Sequence, residues 1–493
     1  MRLVLPNQLF EEHLRASAGT RFVLVEHDLL IRQLPFHAHK LVLHRASELA
    51  FAERLRGKGF EVELLGSQAD ATTADRLGRL LRRWRPDDLS VFEPVDDWVE
   101  QDLRRVATGA GLELDELPTP AFCTSTADVH AQLGGRRPRM AAFYEWQRRR
   151  LDLLMDGDQP VGGRWSFDED NRRKLPKRVE LPELPAPRAD EHVEAAIAWV
   201  QAEFPDAPGD PATFAWPTTR RQAQAWLRRF VRERLAQFGP YEDAVTTRGP
   251  WLFHSAVSPV LNLGLLEPLE VVGAAVEHAD EVAGTDAEVP LSSLEGFVRQ
   301  VVGWREYMRG VYVVHGRRMR SRNLLGLDRR LGPGWWDGST GLDPVDLVLE
   351  RVRERGWCHH IERLMVLGNA MLLLRVDPDE VYRWFSAMFV DAYDWVMVPN
   401  VYAMSQFAAG ELVTTKPYVS GSNYLRKMSD VPTGEWCEDW DALFWTFVRD
   451  HLDGFRSNPR SSMMARTYEG FDSAKKSALT RRAAPWLEGG IAG

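Results

Sequence analysis

Cysteine is nearly absent from this chain: 493 residues hold three, Cys123, Cys358 and Cys437. No two stand at C-x-x-C spacing. An iron–sulfur cluster needs four thiolates and structural zinc four Cys or His ligands, so the count argues against both and no metal ligands are assigned. A disulfide framework is equally out of place in a long chain with so few thiols. The sequence has no G-x-G-x-x-G and no P-loop, which leaves ordinary dinucleotide and nucleoside-triphosphate sites without motif support. No apolar run is long enough to cross a bilayer, so no membrane partner is expected. The start, MRLVLPNQLFEEHL, carries acids and no cleavage pattern, so no secretory signal is read and a cytoplasmic location is expected. Net basic charge is also missing. The formal charge is -9, which works against nucleic-acid binding by counterion release unless a local patch hides in the average.

The composition that remains, 44% hydrophobic and 27% charged, is that of a globular protein long enough for more than one domain. Residues 1–130 alternate short apolar runs (Leu3–Leu5, Phe22–Val25, Val62–Leu65, Leu89–Phe92) with amphipathic stretches such as KLVLHRASELAFAERLRGKG. That βαβα rhythm predicts an α/β domain with a parallel sheet. Residues 131–190 are rich in Gly, Pro and charge and read as an interdomain linker. From 191 to 493 the patterns are almost wholly helical, which predicts an all-α second domain.

Four features bear on chemistry. His359 and His360 adjoin Arg363 at the start of a mostly apolar helix; the pair suits either proton donation near neutral pH or a structural role. Tryptophan numbers 18, and Trp336, Trp384 and Trp395 are candidates for electron transfer as well as for core packing. The segment TTKPYVSGSNYLRKMS sets Tyr418 and Tyr424 in a polar, glycine-containing loop, either a ligand mouth or an ordinary connection. Two arginine runs, Arg148 to Arg150 and Arg317 to Arg322, are either solvated faces or phosphate contacts.

Taken together, LVLPNQL, QPVGGRWSFDEDNR, FHSAVSPVLNLGLL, EGFVRQVVGWREYMRG, HHIERLMVLGN, DPDEVYRWF, DAYDWVMVPNVYAMSQFA and TKPYVSGSNYLRKMSD resemble successive segments of the photolyase and cryptochrome superfamily. The nearest branch is that of bacterial (6-4) photolyases and prokaryotic cryptochromes, which usually carries an iron–sulfur cluster. The resemblance implies a photolyase-like fold with FAD in the helical domain and damaged DNA as partner, recognised by extrusion of the damaged bases; photolyases are a standing example of base flipping. It assigns His254, Ser255 and Ser258 to the FAD phosphates. Gln300, Trp304, Arg305, Met397 and Asn400 fall to the flavin and lesion cavity, and Arg363 and Asp391 to an ion pair beside the isoalloxazine. His359, His360, Tyr418 and Tyr424 are assigned to the lesion side, Trp384 and Trp336 to electron transfer. Gln8, Glu26 and Lys40 are the candidate contacts of a ribityl-lumazine antenna. A monomer is expected.

Three departures accompany the resemblance. The cluster cysteines are missing: Pro344 takes the first position and Cys437 lies near the last, so no iron–sulfur cluster is expected and Trp436, Trp440, Phe444 and Trp445 are expected to pack that region. Phe385 stands where relatives have Tyr, and Met397 where they place a polar or acidic group. The function implied is light-driven, FAD-dependent repair of UV photoproducts in DNA, of (6-4) type, with a cryptochrome-like blue-light photoreceptor as the alternative. A DNA-binding protein that has lost its flavin is a third reading.

Overall fold

The computed structural model describes residues 1–135 and 137–488. Five short strands, β1 (Arg2–Val4), β2 (Arg21–Val25), β3 (Glu61–Leu65), β4 (Leu89–Phe92) and β5 (Leu114–Leu117), form one sheet in the order β3-β2-β1-β4-β5. All pairings are parallel. The crossovers contain α1 (Ala38–Gly57), α2 (Thr73–Trp84) and α3 (Asp97–Gly109). Four strands coincide with the apolar runs of the sequence. β5, LDEL, has no such run because it is an edge strand whose Asp115 faces solvent. α1 starts where the His37 ring accepts the N–H of His39 at 3.1 Å and ends before Gly59, whose φ of +87° closes the helix at little cost. A reciprocal Thr72–Asp75 box caps α2.

The second half is helical, and the stretch between the halves is ordered against it. Helix α4 (Met140–Leu151) packs where Gly303 leaves room for the Tyr144 ring. Beyond it Phe167 N–H donates to Glu295 at 2.9 Å, Asn171 donates to the Ser292 carbonyl at 3.0 Å, and Arg248 holds the carbonyls of Pro176, Lys177 and Val179. Fully buried charges join the halves. On helix α5 (Glu306–Arg320), Glu306 accepts the N–H groups of Cys123 and Thr124, and Arg309 donates to Thr124 O at 2.7 Å and to Glu93 at 2.8 Å. From the other side the buried Lys40 ammonium donates to the carbonyls of Ser386 (3.0 Å) and Ala392 (2.6 Å). Burial lowers its pKa to about 7.

Helix α7 (Glu435–Asp450) carries the aromatic group expected near Cys437. Trp436 and Trp440 are buried edge to face at 6.3 Å, and their N–H groups reach the carbonyls of Pro432 and Ser420, each at 2.9 Å. Phe444 and Trp445 pack at 4.8 Å. Pro344 fills the first turn of helix Asp343–Arg355, where a missing N–H costs nothing.

The run Arg317 to Arg322 divides. Arg317 pairs with Asp97 at 2.7 Å. Arg320 turns inward to Asp394, which also accepts the hydroxyls of Tyr312 and Tyr382, each at 2.5 Å. Arg318 and Arg322 are exposed without an ion-pair partner among the described residues. Arg320→Ala leaves a buried carboxylate short of its cation and is expected to cost about 3 kcal/mol in chemical denaturation. Arg318→Ala should leave the midpoint unchanged.

His13 supplies a second test. Its ring is buried among Phe10, Phe22, Phe51 and Phe92, with centroids 4.7 to 6.2 Å away, and one nitrogen meets the Gln8 carbonyl at 2.9 Å. Burial, helped by Arg2, lowers its pKa to about 3. Its unfolded value is about 6.5, so the unfolded chain binds the extra proton. The contribution is therefore whole above pH 6.5 and is lost as pH falls toward 3. His13→Gln should flatten the acid limb of the stability curve by about 1.4 kcal/mol per pH unit between pH 6 and 4. Parallel limbs would show that His13 is not the titrating group.

Candidate functional site

Three helices widen into π-helical turns, at Arg299–Arg305, Glu362–Gly368 and Pro399–Ser405. Such turns recur at functional sites because the added residue redirects side chains and loosens the regular backbone bonding. The three turns carry Gln300, Trp304 and Arg305, then Arg363, then Asn400. Two of them meet closely: a side chain on Gly368 would strike Ser405, and Gln406 donates to the Gly368 carbonyl at 3.1 Å.

Arg363 grips Asp391 with two nitrogens at 2.8 and 3.0 Å. Its planar fork matches the carboxylate, and its face lies 4.0 Å over the Phe389 ring. The Ser258 hydroxyl donates to the same carboxylate at 2.6 Å, and Asn262 donates to the Asp391 carbonyl at 2.9 Å. The Asn262 side-chain oxygen in turn accepts from Arg305 at 3.2 Å. Arg305 lies between the rings of Phe122 and Trp395 and donates to the Ala121 carbonyl at 2.7 Å, one layer behind Asp391 at the junction of the halves. Trp395 is thus at that junction. Gln300, Trp304 and Asn400 are half-buried and Met397 is buried.

His254 and His359 stack face to face at 4.4 Å. Leu252 and Ala256 bracket His254 and Ser255 with φ of +41° and +48°. This left-handed region is costly for residues with a side chain, so the surroundings must enforce it. The His359 ring is buried and the His254 ring half-buried; among the described residues His254 Nε2, both His359 ring nitrogens and Arg234 Nε and Nη2 have no hydrogen-bond partner, while Arg234 Nη1 holds the His254 carbonyl at 2.9 Å. Burial pushes both histidines well below the usual range, assisted by each other's neighbourhood at His254 and by Arg351 at His359. His360 opens to solvent, yet the surrounding protein and then Arg363 hold its pKa below the ordinary value. The pair therefore splits: His359 is buried in the protein and His360 is exposed to solvent.

Tyr418 and Tyr424 are half-buried and share Arg172 and Asp243 as charged neighbours. Burial, then Asp243, pushes Tyr424 up to about 12. Arg172 and Asp168 come from the interdomain stretch and are paired with each other. Asp168 also meets Arg299 at 3.3 Å, where Glu242 and Glu295 converge at 3.4 and 3.2 Å. Burial raises Glu242 to about 8 and Asp243 to about 6.

Behind Asp391, helix α6 (Pro378–Met388) buries Trp384 completely. Trp336 stands 6.5 Å from it, Phe385 5.6 Å and Phe389 5.9 Å. The adjacent Trp335 packs edge to face at 6.2 Å.

The three antenna candidates do not converge. Gln8 donates to the Phe92 carbonyl at 2.7 Å. Glu26 is held by Arg45 at 2.6 and 2.7 Å and by Ser67 N–H at 2.6 Å. Lys40 caps the two carbonyls described above. A cavity of about 960 Å³ opens elsewhere, between the ends of β4 and β5 and helix α5; Glu93, Glu116, Arg317 and Arg318 line it, and none of the expected site residues does.

Sequence reasoning missed Asp168, Arg172, Asp243, Arg234 and Trp335. The first two sit in a quoted segment, WSFDEDNR, and Trp335 is half of a WW pair, so both places carried a signal. Nothing local marks Arg234 or Asp243.

Residues 2–216 match the family model described as deoxyribodipyrimidine photo-lyase-related protein, and residues 299–450 that described as the FAD binding domain of DNA photolyase. A (6-4) photolyase of Agrobacterium fabrum is 34% identical over 466 residues, 92% of this chain and 91% of that protein. Among solved structures, a bacterial class III photolyase from Agrobacterium tumefaciens superposes with a TM-score of 0.57 at 17% identity, covering 97% and 91% of the two chains. A Synechocystis cryptochrome gives 0.55 at 15%, covering 97% and 94%. At those identities the two structures establish the fold alone. The full-length relative and the two family matches decide the rest: the chain belongs to the photolyase/cryptochrome superfamily, in its deoxyribodipyrimidine photo-lyase-related branch.

Proposed function

We propose that the protein is a DNA photolyase that uses FAD and light to repair UV photoproducts, of the (6-4) type named for the Agrobacterium fabrum relative. The observation that carries this is the Arg363–Asp391 pair with its Ser258 and Asn262 supports, three residues beyond the exposed His360. FAD fits the donor set, because the unpartnered buried nitrogens of Arg234 and His254 suit phosphate oxygens. His254, Ser255, Ser258 and Arg234 would hold the phosphates, Arg363 and Asp391 the ring system, and Gln300, Trp304, Met397 and Asn400 the remaining wall. When bound, FAD supplies light absorption and one-electron transfer; the protein supplies orientation and electrostatics. Tyr418, Tyr424 and Arg172 would meet the lesion. A lumazine antenna at Gln8, Glu26 and Lys40 would have to displace internal hydrogen bonds, so no step is assigned to it. The cryptochrome reading retains support from Phe385 and Met397, which remove an oxidisable ring and a strong acceptor from the family pattern.

Rearrangement of a (6-4) lesion needs a proton as well as an electron. Of the two histidines, we assign its delivery to His360, the exposed one. Its lowered pKa leaves it mostly neutral at pH 7, so donation by its protonated form should grow as pH falls from 8 to 5.5. Repair per bound lesion, measured under saturating light with reduced FAD, is expected to rise over that range. His360→Asn should remove the rise and cost at least about 100-fold in rate. Wild-type protein with reduced FAD and saturating lesion DNA that restores no bases under blue light would favour the photoreceptor.

Binding to DNA should be salt-sensitive in spite of the net charge. Arg318→Ala and Arg322→Ala should each lower the slope of log K against log salt by roughly 0.9 on duplex DNA, with or without a lesion. A slope that does not change assigns both to a solvated face.

A further inference from the structure

We propose that Trp335 is a second acceptor of the oxidising hole from Trp384, in parallel with Trp336, and that the fate of the indole proton separates the two. This rests on the flavin reading above. Trp384 is enclosed by rings: Trp335 at 6.2 Å and 77°, Trp336 at 6.5 Å and 65°, Phe385 at 5.6 Å and Phe389 at 5.9 Å. Both phenyl rings are far harder to oxidise than indole. An electron that refills Trp384 from outside therefore comes through Trp335 or Trp336, which leave the same short helical turn, Gly334–Asp337.

The two indoles differ in what surrounds their N–H. Trp335 is fully buried and its Nε1 has no hydrogen-bond partner among the described residues. The Trp384 N–H donates to the Trp335 carbonyl at 3.2 Å, an oxygen too weakly basic to take the proton. Trp336 is half-buried and opens to solvent. With FAD bound and excited, Trp384 would supply it one electron and be refilled by one electron from either neighbour. Oxidised Trp336 releases its N–H proton to water and becomes a neutral radical, and an added thiol later returns an electron while solvent returns the proton. Oxidised Trp335, with no hydrogen-bonded base among the described residues, would stay a cation and be consumed by recombination with the bound flavin. Trp335 thus spreads the hole away from the flavin without storing it, and Trp336 stores it.

Transient absorption on the flavin-loaded chain in H₂O and D₂O tests this. Wild type should show a tryptophan cation that converts to a neutral radical, more slowly in D₂O. Trp336→Phe should retain a cation, lose the neutral radical and lose the solvent isotope effect. Trp335→Phe should keep both species. The variant with both changes should lose the surviving cation as well, recombining faster than Trp336→Phe. Kinetics that are the same for Trp336→Phe and for the double variant would overturn the proposal and leave Trp335 as packing. Flavin content and near-UV circular dichroism of each variant separate misfolding from a lost relay. A wild-type chain that takes up no flavin would instead overturn the reading on which the proposal stands.

Discussion

Six consecutive residues, Phe389 to Asp394, are held from every side, and both halves of the molecule depend on them. Phe389 lies under the Arg363 guanidinium, and Val390 N–H meets the Gly356 carbonyl at 2.8 Å. Asp391 takes Arg363, Ser258 and Asn262. Ala392 receives Lys40 from α1, and the Tyr393 hydroxyl meets His44 of the same helix at 2.8 Å. Asp394 receives Arg320, Tyr312 and Tyr382. A carboxylate with several donors is stable in a buried place only if all of them stay. The segment therefore ties the Arg363 turn, the HSAVS loop and the α/β half to one another.

The same arrangement explains why the arginine-rich surface is less basic than it reads. Arg148 is wholly buried, donating to the carbonyls of Leu153, Leu154 and Trp165. Arg309 and Arg320 are likewise structural cations. A run of like charges along a helix samples all of its faces, so only part of each run is left for phosphate.

The sequence made the architecture legible where hydrophobic period and chain chemistry agreed. Strands β1 to β4 stood out as apolar runs; helix α1 read as amphipathic, whereas its first half is buried on every side, and β5 lacked the run because one of its faces is wet. Site residues became legible through segments already resembling a family, and the Arg363–Asp391 pair is an ion pair in the structure as that likeness implied. Contacts that join distant segments left no local trace: Arg234 beneath His254, Asp243 beside Tyr424, and the inward turn of His359 against the outward His360 depend on tertiary placement. His359 ends the loop and His360 opens the helix, so one sequence feature divides between two environments.

The π-helical turns at Arg299–Arg305, Glu362–Gly368 and Pro399–Ser405 have a consequence for how a bound molecule would be gripped. A widened turn shifts its peptide groups out of the regular ladder, and each amide or carbonyl so released must find another partner. The three turns carry candidate flavin residues, and no side-chain substitution can delete the main-chain polarity such turns release. Affinity built this way degrades gradually: changing one residue of the wall trims the hold, and only restoring regular helix, by removing the inserted residue, would change the shape of the grip itself.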